Sequence, residues 1–463
     1  MSEKLPPLRI GRLEAETNIL LGGMSTALTT AELAGAVANN GGLGTIGGVG
    51  LGLNEGTRNR NEYFKACQTR LKQEIENARE ISHDGNVGVN LMVATTDYQE
   101  LVKISVENGV KYIASGAGLP LSLPEYVKKY KVSGQPTPEL IPIISTVRAA
   151  ELVLKRWGKD NVIPSAFIVE TPNAAGGHLG VTKANDIGKN EFSLESVIPQ
   201  LVQALEKSGY DIPIIAAGGI WDRDDIDRMI RLGASGVQMA TRFLTTEECN
   251  ASQAFKDRHV ENTDPIVVIK SPVGLPGRAI ENEFIQRVND KNNDEEIDLG
   301  PCVHCLRICE HAKNPLASYC IIRALYNVRI GNVENGVLFT GINSDQLKTD
   351  RENGIFTANQ VMQELTNPEN TDHCIPEQLP SDDSFEKSEL GSLQDLIKDY
   401  YEIRNIIEKM LQEKRSENPS SWMKNRNRLN VLLIKHDLSP EDPKCYTILQ
   451  ARVKNALKEL KKL

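Results

Sequence analysis

Between about residues 10 and 275, short apolar runs alternate with longer stretches whose apolar positions recur at helical spacing. The runs at 18–21, 44–46, 87–92, 112–114, 141–145, 166–169, 214–217 and 236–239 predict strands, because each is short, apolar and bounded by turn residues. Between them, 30–39, 97–107, 148–156, 193–207 and 222–231 fit helices. Strands alternating with helices imply a parallel sheet covered by helices. Eight such units over roughly 250 residues fit a closed (β/α)₈ barrel, with an open doubly wound sheet as the competing arrangement.

The pattern then changes. Residues 288–300 are polar and acidic and read as a loop, and a second polar stretch at 366–390 carries Pro368, Pro376 and Pro380 and reads as a linker. Beyond it, Leu393, Leu396, Ile397, Tyr400, Ile403 and Ile407 return to helical spacing, as do Leu449, Val453, Leu457 and Leu460. The expected organisation is a barrel over 1–285, an extension packed on it over 286–365, the linker, and a helical tail over 391–463. The tail holds 15 Lys/Arg against 10 Asp/Glu, so it carries +5 while the rest of the chain carries −14. Such a tail is a helical appendage with a solvated basic face, or a module that docks on a partner or forms a homo-oligomer.

At 463 residues with 40% hydrophobic content, the chain can bury a large core. A net charge of −9 argues against a general nucleic-acid binder. No run of 18 apolar residues exists and the start lacks a signal-like apolar stretch, so the expectation is a cytoplasmic protein with no membrane association. Eight cysteines in so long a chain do not suggest a disulfide scaffold.

Candidate chemistry gathers at the predicted strand ends. Residues 174–180 read Ala-Ala-Gly-Gly-His-Leu-Gly. Gly176 and Gly177 permit a tight turn and close approach to a flat ligand, and His178 after them can exchange a proton near neutral pH. As a bare tripeptide, Gly-Gly-His reads as a flexible turn before it reads as a site. Two other runs change that balance. Leu20-Leu21-Gly22-Gly23-Met24 leads from the first strand into a glycine turn, where Met24 can offer a polarizable contact to a planar ring. Ala217-Gly218-Gly219-Ile220 and Gln238-Met239-Ala240-Thr241-Arg242-Phe243 end the seventh and eighth strands, where barrels often bind phosphate through backbone amides. Cys302, Cys305, Cys309 and Cys320 follow a C-x2-C-x3-C-x10-C spacing that matches neither a zinc ribbon nor a standard ferredoxin run. A metal or iron–sulfur cluster and a set of buried structural thiols are both open readings of them. Cys67, Cys249, Cys374 and Cys445 have no partner by spacing.

These runs, with Asn40 to Gly47, Gly88-Val89-Asn90-Leu91-Met92 and Lys270-Ser-Pro-Val-Gly-Leu-Pro-Gly-Arg-Ala279, make the chain resemble the nitronate monooxygenase (2-nitropropane dioxygenase-like) flavoenzymes. The resemblance covers about residues 8–345 and extends to the flavin-dependent enoyl-acyl-carrier-protein reductases. It implies a TIM barrel with FMN in its mouth. It places Met24, Gly23 and Asn90 at the flavin ring, with Glu170, Gly176 and Gly177 among the contacts. Gly218, Gly219, Gln238, Met239, Ala240 and Thr241 would surround the ribityl phosphate, and His178 would be the acid/base. Ala240 stands where glycine is usual, Ser25-Thr26-Ala27 replaces a glycine-rich stretch, and the segment from Glu170 to Gly176 is one residue longer. The implied reaction is oxidation of a nitronate or nitroalkane with O₂ to a carbonyl and nitrite. The alternatives are NAD(P)H-dependent reduction of an enoyl thioester and a flavin-binding scaffold that docks through its tail. In every enzymatic case the substrate is a small molecule.

Overall fold

Eight short apolar segments become parallel strands in chain order: β1 (Ile19–Leu21), β2 (Gly44–Gly47), β3 (Val87–Met92), β4 (Tyr112–Gly116), β5 (Glu139–Ile144), β6 (Phe167–Glu170), β7 (Ile214–Ala217) and β8 (Gly236–Met239). The structure, a computed structural model, describes residues 4–54, 56–180, 183–290, 297–314 and 318–367. Neighbouring strands pair in parallel from β2 round to β8, and β8 pairs with β1 through Val237–Ile19 to Met239–Leu21. The ring closes at a parallel bridge between Leu20 and Leu43. There the Leu21 amide donates to the Leu43 carbonyl at 2.9 Å and the Leu43 amide to that of Ile19 at 3.0 Å. This is a TIM barrel, and closure excludes the open sheet.

Alternation sorts each apolar strand into two faces. Leu20, Ile141, Ile168, Ile215 and Ala217 fill the interior, while Ile19, Leu21, Val169, Ile214 and Ala216 pack under the helices. Tyr112 also lies inside, its hydroxyl bonded to the Gly44 carbonyl and the Thr45 hydroxyl. Gly88 makes room for it, since a Cβ there would meet the Tyr112 ring at 2.5 Å. A hairpin of Leu8–Ile10 and Leu13–Ala15 adds Leu8, Ile10 and Ala15 to the same cluster and plugs the N-terminal end. The opposite end, where the strands finish, is left for the site.

The expected helices form as Ala31–Asn39, Tyr98–Glu107, Val147–Gly158, Leu194–Lys207 and Arg223–Arg231. Three more, Arg60–Ile81, Leu123–Tyr130 and Gln253–Val260, escape the apolar pattern. The first buries only a narrow stripe (Tyr63, Cys67, Leu71, Glu74, Ile75 and Ala78) in 22 residues. Its buried Glu74 accepts from the Ala31 amide at 2.6 Å, which offsets the missing side-chain cap of the preceding helix, Ala31–Asn39.

The extension does not begin cleanly at 286. Ile266–Lys270 and Pro276–Ile280 form a hairpin to which Leu338–Phe339 and Gly177–His178 add on the second strand, so one sheet joins residues from both sides of that boundary. A helix at Ile321–Arg329 packs on this sheet, and another at Ala358–Thr366 returns to the barrel helix Ala31–Asn39. The linker from 368 and the tail over 391–463 lie outside the described residues.

Arg242, directly after the β8 loop, is buried and gives a bidentate pair to Asp350 at 2.8 and 2.9 Å, with further bonds to the Trp221 carbonyl and Glu364. Asp350→Ala leaves this cation buried with less compensation. It is expected to cost about 3 kcal/mol in urea unfolding of the full chain; a loss below about 1 kcal/mol would mean the pair does not anchor the extension.

Candidate active site

The C-terminal strand ends open into a cavity of about 670 Å³. Gly23 and Met24 reach it from β1, Asn90 from β3 and Glu170 from the last position of β6. Gly176, Gly177 and His178 enter from the next loop, Gly218 and Gly219 from the end of β7, and Gln238, Met239, Ala240 and Thr241 from β8 and its loop. Every residue assigned by sequence to the flavin or to proton transfer therefore lines one space.

His178 is held by the hairpin. It sits opposite Gly277 in the small sheet, and its Nε2 is 2.8 Å from the Ser271 hydroxyl. Phe339 stands edge-on at 5.0 Å between ring centroids. Burial pushes the imidazole pKa down to about 4, so the ring is neutral at physiological pH. Arg278, from the same hairpin, donates to the carbonyls of Pro172 at 3.0 Å, Asn173 at 3.1 Å and Ala175. A buried guanidinium thus fixes the loop that carries Gly176-Gly177-His178. The run 270–279 is visible in the sequence, yet its role as the support of His178 is not.

Glu170 is half-buried, and its carboxylate has no partner among the described residues. Burial raises its pKa to about 7. At the other end of the cavity, Gly218 and Gly219 take φ of +99° and +71°, and a Cβ on Gly219 would meet that of Ala174 at 2.5 Å. Glycine is required at both for that turn. The extension adds residues that sequence reasoning missed. Thr241 accepts from the Gly341 amide at 3.1 Å, Asn343 donates to the Gly219 carbonyl at 3.0 Å, and Thr340 and Phe339 line the cavity. The signal available was the Gly336-to-Phe339 run, which carries no titratable group to draw attention.

The cysteines do not assemble as metal ligands. Among the described residues no three His, Cys, Asp or Glu side chains form a set able to hold a metal. Cys302, Cys305, Cys309 and Cys320 are free thiols, and Cys305 and Cys320 pack in an apolar cluster with Val49, Leu53 and Tyr63. Burial raises the Cys320 pKa to about 11 and holds that of Cys305 well above the usual thiol range. Cys305 and Cys320 are packed as buried thiols in this arrangement. Cys67, unpartnered by spacing, joins the cluster and accepts from the Gly52 amide at 3.4 Å. Cys249 is buried alone, and Cys374 and Cys445 lie outside the described residues.

A family model described as nitronate monooxygenase matches residues 10–368. The chain belongs to the nitronate monooxygenase family. It is accordingly an FMN-dependent oxidoreductase. A probable nitronate monooxygenase of Staphylococcus saprophyticus is 28% identical over 337 residues, covering 64% of this chain and 84% of that protein. Another from Staphylococcus aureus (strain Newman) is 30% identical over 312 residues, covering 61% and 80%. FabK from Thermotoga maritima shares the fold with a TM-score of 0.56 at 24% identity, over 77% of this chain and 93% of that one. Nitroalkane oxidase from Streptomyces ansochromogenes does so with a TM-score of 0.54 at 18% identity, over 76% and 95%. No helix among the described residues is long and apolar enough to cross a membrane.

Gly219→Ala should strain the loop after β7 by about 1–3 kcal/mol. The expected result is FMN affinity reduced by about tenfold or more in equilibrium titration; unaltered affinity would remove this loop from cofactor binding.

Proposed function

We propose that this chain oxidises nitronates, and neutral nitroalkanes after deprotonation, to a carbonyl and nitrite with O₂ as terminal oxidant. His178 takes the α-proton. The observation that carries this reading is the half-buried, neutral imidazole at the cavity wall, oriented by Ser271 and Phe339. A histidine with a pKa near 4 is a base that is ready at neutral pH, not a stored acid.

The residues present fit a phosphate-bearing flavin. Gln238 Oε1 and Thr340 Oγ1 line the cavity, are buried, and lack a hydrogen-bond partner among the described residues. Such atoms are costly unless a ligand satisfies them. Gly218, Gly219, Ala240 and Thr241 would hold the phosphate, chiefly through backbone amides, since among the described residues no Lys or Arg lines the cavity. Ala240 in place of glycine keeps its amide. Met24, Asn90 and Glu170 would border the ring. When bound, FMN supplies the electron acceptor of the oxidation. The chain's own contribution is to orient the α-carbon toward His178, accept its proton and keep bulk water out with the extension.

One observation favours a second reading, NAD(P)H-dependent reduction of an enoyl thioester. Glu170, with a pKa near 7, is half-protonated at neutral pH and could give the proton that such a reduction needs.

Anaerobic mixing separates the two. Bleaching of the flavin by ethyl nitronate and not by NADH or NADPH is expected, and the reverse would overturn the first reading. His178→Ala should retain FMN but lower turnover of a neutral nitroalkane by about 10²-fold. A base whose pKa lies near 4 is already deprotonated above about pH 5.5, so kcat/KM for that substrate should stay flat from there to about pH 8 and fall only in more acid solution. A limb near pH 7 would instead assign the proton step to Glu170.

A further inference from the structure

We propose that Arg278 is the counter-charge for the phosphate of the bound flavin, acting from behind the cavity wall and turning wall amides toward the anion. The inference rests on the phosphate placement given above and is independent of the choice between oxidation and enoyl reduction.

Position comes first. The loop over 172–176 is wedged into the glycine end of the cavity. A Cβ on Gly218 would stand 3.0 Å from the Ala175 nitrogen, and one on Gly176 would stand 2.6 Å from the Thr340 carbonyl carbon. The Thr340 amide in turn donates to the Arg278 carbonyl at 3.2 Å. Arg278 lies opposite Gly177 in the small sheet, and its guanidinium reaches back to the carbonyls of Pro172, Asn173 and Ala175. The cation therefore stands one layer behind Ala174, Ala175 and Gly176, which line the cavity.

Those three bonds orient the loop. Its peptides are trans, so a carbonyl aimed at Arg278 aims the N–H of the same peptide the opposite way. The amides so turned belong to Asn173, Ala174 and Gly176, and none of them has an acceptor among the described residues. Two of the three come from cavity-lining residues beside Gly218 and Gly219. Successive N–H groups that face one space make a concavity suited to an anion.

Charge supplies the rest. Arg278 is only 6% exposed. Three carbonyls occupy its donors but bring no net charge. Burial lowers its pKa from the ordinary arginine value, and no ionised group opposes that effect. Arg242 differs, since Asp350 and Glu364 neutralise it. A buried cation without a counter-ion is costly, and a phosphate dianion without a cation is equally so. Each offsets the other's cost across the loop.

The test uses the full chain stripped of flavin and titrated with FMN and with riboflavin, which lacks the phosphate, each followed by flavin fluorescence. Wild type should prefer FMN by about a hundredfold or more. Arg278→Gln keeps an N–H donor for the loop without the charge, Arg278→Met keeps neither, and Arg278→Lys keeps the charge without the fork. In the Gln and Met variants the preference for FMN should fall by about tenfold or more, the order expected of one unit charge at an effective dielectric of about 20. In the Lys variant it should stay within about threefold of wild type. Phosphorus NMR of the wild-type holoprotein needs no variant to fold. There the bound phosphate should remain dianionic down to about pH 5, whereas free FMN titrates near pH 6. A bound phosphate that titrates as free FMN does would overturn the proposal. So would equal losses of FMN and riboflavin affinity in the Gln and Met variants, which would leave Arg278 a purely structural support, or a Lys variant that loses the preference as fully as Gln. A wild type that binds riboflavin as tightly as FMN would remove the phosphate placement itself.

Discussion

Closure of the eight-stranded ring is the constraint on which the rest depends. A parallel sheet that ends at β1 and β2 would leave two rows of unpaired backbone groups and scatter its strand ends along an edge. The Leu20–Leu43 bridge joins the last gap with only two hydrogen bonds, and it makes every strand finish on one rim. Glycine turns separated by some 200 residues of sequence, at Gly23 and at Gly219, then face the same space. The hairpin over Leu8–Ala15 seals the other end, so the interior is a packed core and only the rim is available for chemistry.

At that rim two buried arginines solve related problems differently. Arg278 meets main-chain carbonyls and immobilises the loop before His178. Arg242 meets Asp350 and Glu364, so the cation adjacent to Thr241 is spent on holding the extension rather than on a phosphate. The result is a cavity that no Lys or Arg lines among the described residues, and a histidine whose surroundings favour its neutral form. Both depend on the segment after residue 266, which supplies Ser271, Arg278, Phe339 and Asp350. The extension is thus a wall of the site as well as a cover over it.

The fold was legible because barrel strands, buried on both faces, read as compact apolar runs between glycine-rich turns. Where burial is one-sided the pattern thins: Arg60–Ile81 shows the sequence a mostly charged surface with a narrow apolar stripe. The hairpin at 266–280 was missed for another reason. Its strands pair with each other and with residues 60 to 100 positions away, and nothing local announces those partners. For the cysteines the spacing left two readings open, and contacts between distant segments set Cys305 and Cys320 in an apolar cluster with Cys67.

By itself, the sequence determined which candidate residues gather around one cavity at the strand ends, because glycine pairs, a histidine and a hydroxyl at those positions are chemically distinctive wherever they lie. It also placed the chain among the flavin-dependent oxidoreductases. Only the tertiary structure decided the protonation state of His178, the rise in Glu170, the supporting roles of Ser271 and Arg278, and the shape of the cavity. Those properties follow from burial and from contacts between distant segments, and desolvation has no signature in a linear run of residues.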